Sequence, residues 1–175
     1  MYIHCTKKVI DLGELTISEI EEHEPLFSWY VNILKVNRRN FMVAINEKTG
    51  YPLFFYGIKK KDLRILQFNL ELAIEFALKR EGYPIEYIFN YLEQGNQCHI
   101  HKTASRKILG HLNEVTNEAL YLDRWEIVED CINVSSISTE VSSLIMNLSK
   151  GGIIPREEML KELKDLYLNT NKEVS

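Results

Sequence analysis

The sequence predicts an α+β fold, in which an antiparallel sheet of about four to five strands is covered by about four to five helices. Apolar residues alternate with other residues between positions 27 and 56, which is the period of two typical of strands. Beyond Gly57 the apolar period changes to about 3.6, which is typical of helices, and alternation returns at residues 97–102. Strands followed by helices and one returning strand favour helices stacked on an antiparallel sheet.

The N-terminal strand is predicted at residues 1–5, where side chains would alternate between the two faces of the sheet. The acidic segment that follows predicts a short helix around residues 16–20, which would end before Pro25.

Three strands joined by two tight turns form the clearest pattern. Their apolar positions are Phe27, Trp29, Val31 and Ile33, then Phe41, Val43 and Ile45, and then the run 53–56. The turns at residues 37–40 and 46–50 contain Asn, and the second also Gly, residues that tolerate the positive φ of hairpin turns. Pro52 cannot donate a ladder hydrogen bond, so we expect it at a strand start or on an edge. The pattern predicts an antiparallel meander.

Helices follow Gly57. A helix over residues 63–78 would end at Gly82, and a second would begin at Pro84 and end at Gly95. Each boundary follows from a residue that breaks or opens a helix.

The next segment begins with the alternation at residues 97–102, which predicts a fourth strand in the sheet. Thr103 or Ser105 is expected to cap a helix with apolar positions over residues 108–120. Residues 124–136 are ambiguous.

The C-terminal part predicts two helices. Residues 141–148 fit one helix, the glycine pair at 151–152 fits its end, and Pro155 fits the first turn of the last helix. We expect one α+β domain over residues 1–168 and a tail, residues 169–175, that frays.

Positive charge is concentrated in residues 35–64, the basic segment. The chain of 175 residues has a net charge of -4, yet this segment holds eight bases and two acids. The bases are Lys35, Arg38, Arg39, Lys48, Lys59, Lys60, Lys61 and Arg64. Residues 11–24 hold six acids and no Lys or Arg. The split suggests an anionic partner for one face, two segments that neutralise each other, or solvated turns and helix ends.

Composition bounds the class of protein. With 45% hydrophobic residues, the chain can bury one sizeable core. No apolar run approaches the roughly 20 residues needed to span a bilayer, and the start lacks the features of a signal peptide. The three cysteines are far apart, which fits reduced thiols. We expect a soluble cytoplasmic protein with no membrane partner.

Several short motifs occur in order along most of the chain. They are I-x-C-T-K-K at 3–8, L-F-S-W-x-x-N at 26–32, N-R-R at 37–39, Y-G-x-K-x-K-D at 56–62, T-x-S-R-x-x-L-G-x-L-N-E at 103–114, and spaced Asn, Gly, Pro, Glu and Leu within 147–160. Together they resemble an uncharacterised bacterial family, a domain of unknown function. The chain departs from its pattern at Tyr30, where His is expected, and at Leu112, where Met is common. The resemblance implies no activity.

The first candidate site lies at the predicted hairpin. If Trp29 faces the core, Tyr30 and Asn32 face the other way, beside a turn that contains Asn37, Arg38 and Arg39. Such groups could hold a phosphate or a planar base by charge-assisted hydrogen bonds and stacking. Alternatively, the asparagines serve backbone and turn geometry, and the arginines blunt a hairpin tip.

The second candidate is the run Lys59, Lys60 and Lys61, which precedes a helix beginning near Asp62. Exposed N–H groups at a helix start attract anions. Lysines oppose the helix dipole there, however, so an exposed loop is the alternative.

The third candidate is the polar face of the helix after Ser105, with Arg106, Gly110, Asn113 and Asn117. Glycine costs up to about 1 kcal/mol in a helix interior relative to Ala. We therefore expect a neighbouring element, or alternatively a ligand, to approach Gly110 closely.

Metal and nucleophile signatures are absent from the sequence. His99 and His101 share a predicted strand face, but no histidines or cysteines show a zinc-ligand spacing. No G-x-S-x-G occurs, and the glycines at 151–152 match no nucleotide-binding fingerprint. We predict no metal and no cofactor.

Three functional hypotheses remain. The first is a binding or interaction module whose basic hairpin and C-terminal apolar helices dock an acidic protein or a second copy of the chain. The second is a nucleic-acid or nucleotide-binding protein that uses Arg38, Arg39 and the lysine run. The third is an enzyme acting on a phosphate-bearing substrate, with His101, Arg106 and Asn113 near the basic surface. The sequence favours a binding role over an enzyme and leaves the question open.

Overall fold

The computed structural model describes residues 1–19, 23–103, 105–122, 135–149 and 151–173. In chain order the elements are β1 (Tyr2–Cys5), α1 (Lys7–Gly13), a 3₁₀ turn (Pro25–Phe27), β2 (Ser28–Val36), β3 (Arg39–Asn46), β4 (Pro52–Tyr56), α2 (Lys60–Leu63), α3 (Leu66–Arg80), α4 (Ile85–Gln94), β5 (His99–Lys102), α5 (Arg106–Tyr121), α6 (Ser135–Ser142), β6 (Met146–Ser149), β7 (Gly151–Ile153) and α7 (Pro155–Glu173). The predicted α+β class is confirmed.

The main sheet has five strands in the order β4-β3-β2-β1-β5. The predicted meander is confirmed, because β2, β3 and β4 pair antiparallel. The expectation of a wholly antiparallel sheet is wrong, since β1 pairs parallel with both β2 and β5. The chain leaves β1 through α1 and returns beside it at β2, and a long crossover of this kind lets two neighbouring strands run in one direction.

Both faces of the sheet are covered by helices. The first face packs on α1, α3, α4 and α7 through Ile3, Cys5, Trp29, Val31, Ile33, Met42, Ala44, Leu53 and Phe55. The second face packs on α5 and α6 through Tyr30, Phe41, Val43, Ile45, Phe54 and Tyr56. A sheet buried on both sides needs apolar residues at successive positions, which explains the almost continuous apolar character of β3 and β4.

The acidic segment near the N-terminus folds differently from the prediction. The helix expected around residues 16–20 is wrong for the described positions, because α1 comes earlier and ends where Glu14 adopts a left-handed φ of 52°. Ser18 then donates its backbone N–H to the carbonyl oxygen of Ile100 at 2.7 Å. This hydrogen bond to β5 gives the segment a partner outside any helix.

The helices after β4 agree in part with the predicted boundaries. The single helix expected over residues 63–78, beginning near Asp62, is divided into α2, which already starts at Lys60, and α3. α3 and α4 follow in order, with Pro84 and Gly95 flanking α4. Ser105 caps α5, because its hydroxyl accepts the N–H of Ile108 at 3.3 Å. Most of the ambiguous residues 124–136 lie outside the described part of the chain.

The C-terminal part contains a hairpin that the pattern did not predict. The helix expected at 141–148 is wrong, since α6 ends at Ser142 and Met146 pairs antiparallel with Ile153 in the β6–β7 hairpin. The glycine pair at 151–152 lies in β7 rather than at a helix end. α7 begins at Pro155 as predicted and continues to Glu173, beyond the expected boundary at 168. None of the described helices combines the length and apolar character that crossing a bilayer would need.

Candidate functional site

The hairpin between β2 and β3 turns through two residues. Asn37 and Arg38 have φ values of 48° and 66°, and Val36 pairs with Arg39 across the turn. Two successive positive φ angles match the tight turns that suit the twist of a hairpin, and Asn tolerates this geometry well. The turn places the Arg38 and Arg39 side chains at an exposed tip.

The end of β4 brings the lysine run beside this hairpin. Gly57 has a φ of 78°, which turns the chain away from Tyr56. Asn40 fixes the turn from both sides, because its side chain donates to the carbonyl of Ile58 at 2.6 Å and its carbonyl accepts the N–H of Gly57 at 2.9 Å. The next residue is Lys59. One asparagine therefore couples the hairpin to the start of α2.

An open groove lies between these two segments, and we call it the basic groove. Its volume is about 520 Å³, and it is lined by Lys35, Arg38, Arg39, Asn40, Tyr56, Gly57, Ile58, Lys59, Lys61 and Asp62. Five of these side chains are basic and one is acidic. The hairpin and the lysine run, two separate candidates in the sequence, thus face one cavity.

Three of the eight bases in the basic segment form ion pairs within the fold, and two carboxylates serve the three of them. Lys60 and Arg64 both pair with Glu14, with 3.3 Å between Arg64 Nη2 and the carboxylate. Lys48 Nζ lies 2.7 Å from a carboxylate oxygen of Glu162. Hydrogen bonding from Lys60 is the main cause that lowers the pKa of Glu14 below its ordinary value. Glu14 belongs to the acidic segment and Glu162 does not, so pairing between the two charged segments applies to Lys60 and Arg64 only.

The other five bases are those of the basic groove: Lys35, Arg38, Arg39, Lys59 and Lys61. All five are exposed, and within the described part of the chain none forms an ion pair. The nearby Asp62 already accepts the backbone N–H of Lys59 at 2.8 Å. The groove therefore keeps a local excess of positive charge.

The aromatic residue of the groove is Tyr56, and its ring is largely covered. It is only 7% exposed, and the Arg39 guanidinium lies 5.9 Å from the ring centroid. A base that stacks on protein needs an open aromatic face. The groove thus offers charge without a stacking platform.

The remaining predicted site residues serve other roles or stand apart from the groove. Tyr30 is 4% exposed on the second face of the sheet, so the polar surface expected around it is wrong. Asn32 accepts the Thr6 hydroxyl at 2.9 Å. Arg106 and Asn113 are exposed on α5 and do not line the groove.

Gly110 also differs from its prediction. A Cβ atom placed there would meet no heavy atom of the described residues within 4 Å, so for this part of the chain the expected close approach of another element is wrong. Nothing in the structure explains this glycine.

An exposed apolar stripe runs along α3, which the sequence analysis missed. We define the apolar stripe as Ile65, Phe68, Leu72 and Phe76, which are 52%, 56%, 37% and 64% exposed. The opposite side of α3 is buried in the core. The spacing of four between positions 68, 72 and 76 could have predicted the stripe from the sequence, because residues four apart share one helix face.

Several histidines lie close together on the second face of the sheet, around β1. His4 on β1 pairs in register with Tyr30 on β2 and His101 on β5. The His4 ring stacks on these two rings at centroid distances of 4.5 and 5.3 Å. His23 contacts the His4 ring edge-on at 4.7 Å. Among the described residues, His4 and His23 together with Glu47 are the side chains placed to hold a metal ion.

A mixed sheet between two helical layers, with a basic groove at one hairpin, defines an α+β domain. The chain belongs to the family described as Domain of unknown function (DUF6933), whose model matches residues 2–158. The predicted membership of an uncharacterised domain family is thereby confirmed. No curated protein and no solved structure matches the chain. The matched region includes the basic groove, the apolar stripe and the histidines.

Proposed function

We propose that the protein is an interaction module that binds an acidic, amphipathic segment of a protein partner along the basic groove and the apolar stripe. The observation that carries the proposal is the convergence on one groove of five exposed bases that form no ion pair with any described residue. The exposed stripe on α3 follows that groove in the chain. We expect this interaction in the cytoplasm, where free thiols such as those of Cys5 and Cys98 remain reduced.

The groove would attract and orient the partner. Like charges with no internal counter-ions create a field that raises the rate of encounter with an acidic surface. Each exposed ion pair adds only about 0.2–1 kcal/mol, because water and salt screen it. The groove alone would therefore give a weak and salt-sensitive complex.

The apolar stripe would supply the affinity that the charges lack. Phe68 and Phe76 are more than half exposed, and burial of large aromatic side chains dominates many protein interfaces. Removing apolar surface from water stabilises a complex by about 25 cal/mol per Å². A hydrophobic strip on a helix that already buries its other side is the kind of surface that a partner helix covers.

The two surfaces are continuous in the chain. Lys59 and Lys61 line the groove, α2 ends at Leu63, and the stripe starts at Ile65. α3 is 15 residues long, or about 22 Å at the usual helical rise. A partner with acidic residues at one end and apolar residues at helical spacing beyond them would engage both surfaces.

Nucleic-acid binding is the second candidate, and the exposed pair Arg38 and Arg39 favours it. Phosphate contacts alone can give non-specific binding with a steep salt dependence. However, Tyr56 is covered and the stripe would remain unused. The enzymatic alternative has less support, since none of His101, Arg106 and Asn113 lines the groove.

A selection from a library of random displayed peptides tests the proposal. The enriched peptides should combine an excess of Asp and Glu with apolar residues three or four positions apart. The paired changes Arg38→Glu with Lys61→Glu should abolish their binding. Phe68→Ser with Phe76→Ser should weaken it as well. Lys102→Glu with Arg106→Glu changes the net charge equally outside the groove, and this control should retain binding.

Two outcomes would contradict the proposal. Enriched peptides without acidic excess would remove the role of the groove, and peptides that still bind both pairs of variants would remove the role of both surfaces. Oligothymidylate distinguishes the nucleic-acid alternative. Tight binding to it would establish that alternative if the binding is lost in the Arg38→Glu and Lys61→Glu variant and kept in the Phe68→Ser and Phe76→Ser variant.

A further inference from the structure

Three side chains from separate parts of the chain converge beside the central strand. A ring nitrogen of His4, a ring nitrogen of His23 and a carboxylate oxygen of Glu47 all lie within 4.8 Å of one another. His23 Nε2 and Glu47 Oε2 are 3.0 Å apart. Two imidazoles and one carboxylate are a donor set that Zn²⁺ and related divalent transition ions prefer.

The buried histidine of this group lacks a hydrogen-bond partner. His4 is 6% exposed, and its Nε2 is buried with no partner in the described structure. Nε2 of the neighbouring His101 is likewise buried and has no hydrogen-bond partner among the described residues. A buried polar atom without a partner is costly, so such atoms in a native fold call for an explanation. A bound ion would provide one.

The backbones that carry the three residues are held firmly. His4 lies on β1, which pairs with strands on both sides. Glu47 donates its backbone N–H to Ser28 at 2.9 Å, and the preceding Asn46 fixes the turn by accepting the N–H groups of Lys48 and Thr49 at 3.1 Å each. Preorganised supports of this kind reduce the cost of assembling a site.

The segment that carries His23 is anchored by its neighbour. The carbonyl of Glu24 accepts the Ser28 hydroxyl at 2.8 Å and the Phe27 N–H at 3.0 Å. The side chains of His23 and Glu47 are 29% and 21% exposed, so they can shift towards an ion. Tetrahedral coordination needs ligand atoms about 3.3 Å apart, which such shifts would reach.

Solvent reaches the carboxylate side of the cluster. Glu47 also lines a separate open cavity of about 440 Å³, together with Lys48, Ser105 and Lys107. Three protein ligands leave a fourth position for water or a small ligand, whereas structural zinc sites are usually closed by four.

We propose that His4, His23 and Glu47 form a binding site for one divalent transition-metal ion, with Zn²⁺ as the representative ion. The convergence of three donors, the unpartnered nitrogen of buried His4 and the fixed backbones carry this inference. It is independent of the basic groove and of the partner proposed for it.

Titration of chelator-treated protein with ZnCl₂ and CoCl₂ tests the site. Calorimetry should give one ion per chain, Co²⁺ should develop the visible absorption of a bound nitrogen and oxygen ligand set, and Zn²⁺ should raise the Tm. His23→Ala and Glu47→Gln should each weaken binding by about tenfold or more. Both side chains are partly exposed, so the metal-free variants should keep the wild-type Tm. His99→Ala is the matched control, because His99 stacks on Tyr2 nearby without being one of the three donors.

The proposal is overturned if the protein binds no Zn²⁺ at one equivalent. It is also overturned if His23→Ala and Glu47→Gln bind as the wild type does, which would place the ion elsewhere, for example at a thiol. Equal loss in the His99→Ala control would show a general effect on the ring stack rather than coordination.

Discussion

Asn40 shows how a single residue can organise a site. Its side chain and its backbone carbonyl hold residues 57–58 beside the hairpin, and the groove forms between them. The sequence placed this residue in the predicted turn at 37–40, whereas the structure places it on β3. Its bond to the far end of β4 was not predictable, because that contact depends on the register between β3 and β4.

The proposed metal site could not be predicted from local sequence motifs. His4, His23 and Glu47 are separated by 19 and 24 positions, and such spacings match no local ligand motif. Local motifs report ligands that share a helix or a loop. These three donors instead meet because β1, the segment before β2 and the turn after β3 lie at one edge of a shared sheet face.

Gly110 provides a test at the scale of one residue. It lies inside α5, and the space around its missing side chain is open. We expect Gly110→Ala to raise the free energy of unfolding by roughly 0.5–1 kcal/mol, since alanine favours the helix and meets no clash. Urea unfolding followed by circular dichroism measures the change. A loss of stability would show that another group does approach this face.

At the scale of elements, the meander and the helices α3, α4, α5 and the start of α7 followed from apolar period and helix caps. The wrong predictions of strand direction and of the layers around the sheet have one source, which is their reliance on apolar periodicity. Periodicity reports which side chains are buried, but it does not report the direction of a strand or what covers its second face. β1 and β5 are short strands, and their parallel pairing follows from the connections through α1 to β2 and through α2, α3 and α4 to β5.

Apolar residues lie on more than one side of α3. Its buried face predicted the helix correctly, while the additional apolar residues at 68, 72 and 76 were left unused in the prediction. A helix that is apolar on more than its core side calls for a second partner. The β6–β7 hairpin was not predicted, because the apolar pattern of its short strands resembles that of a helix.

At the scale of the whole molecule, Glu81 links distant parts of the fold. Its carboxylate oxygen accepts the Tyr51 hydroxyl at 2.6 Å and the Ser142 hydroxyl at 2.9 Å, which joins the end of α3 to the start of β4 and to α6. Burial is the largest influence and raises the pKa of Glu81, although its hydrogen bonds and Arg156 act in the other direction.

This carboxyl should make stability depend on pH. Its pKa in the folded state is raised above the ordinary value of 4.5, so the folded chain keeps a proton that the unfolded chain has released. Its contribution to the free energy of unfolding is therefore full below pH 4.5 and falls as the pH rises through the raised pKa. Glu81→Gln should remove this fall. Urea unfolding of both proteins across mildly acidic and neutral pH measures it, and identical pH profiles would refute the assignment.

Charge is also partitioned over the whole molecule. The acidic N-terminal segment contributes Glu14, which pairs with both Lys60 and Arg64, while Lys61 between them faces the groove and pairs with none of the described carboxylates. Counting charges along the sequence found the basic segment. Deciding which of its bases remain available required the fold, since the carboxylates that pair with them come from the residue after α1 and from α7.

The most direct test of the proposed docking surface compares two adjacent lysines. Fluorescence anisotropy would measure the affinity of one selected acidic, amphipathic peptide for Lys61→Gln and Lys60→Gln, which change the net charge equally. We predict that Lys61→Gln weakens binding by about two- to fivefold, the value of one exposed ion pair, and that Lys60→Gln leaves it unchanged. Equal weakening by both substitutions, or no effect of Lys61→Gln, would contradict a groove formed by the unpaired bases.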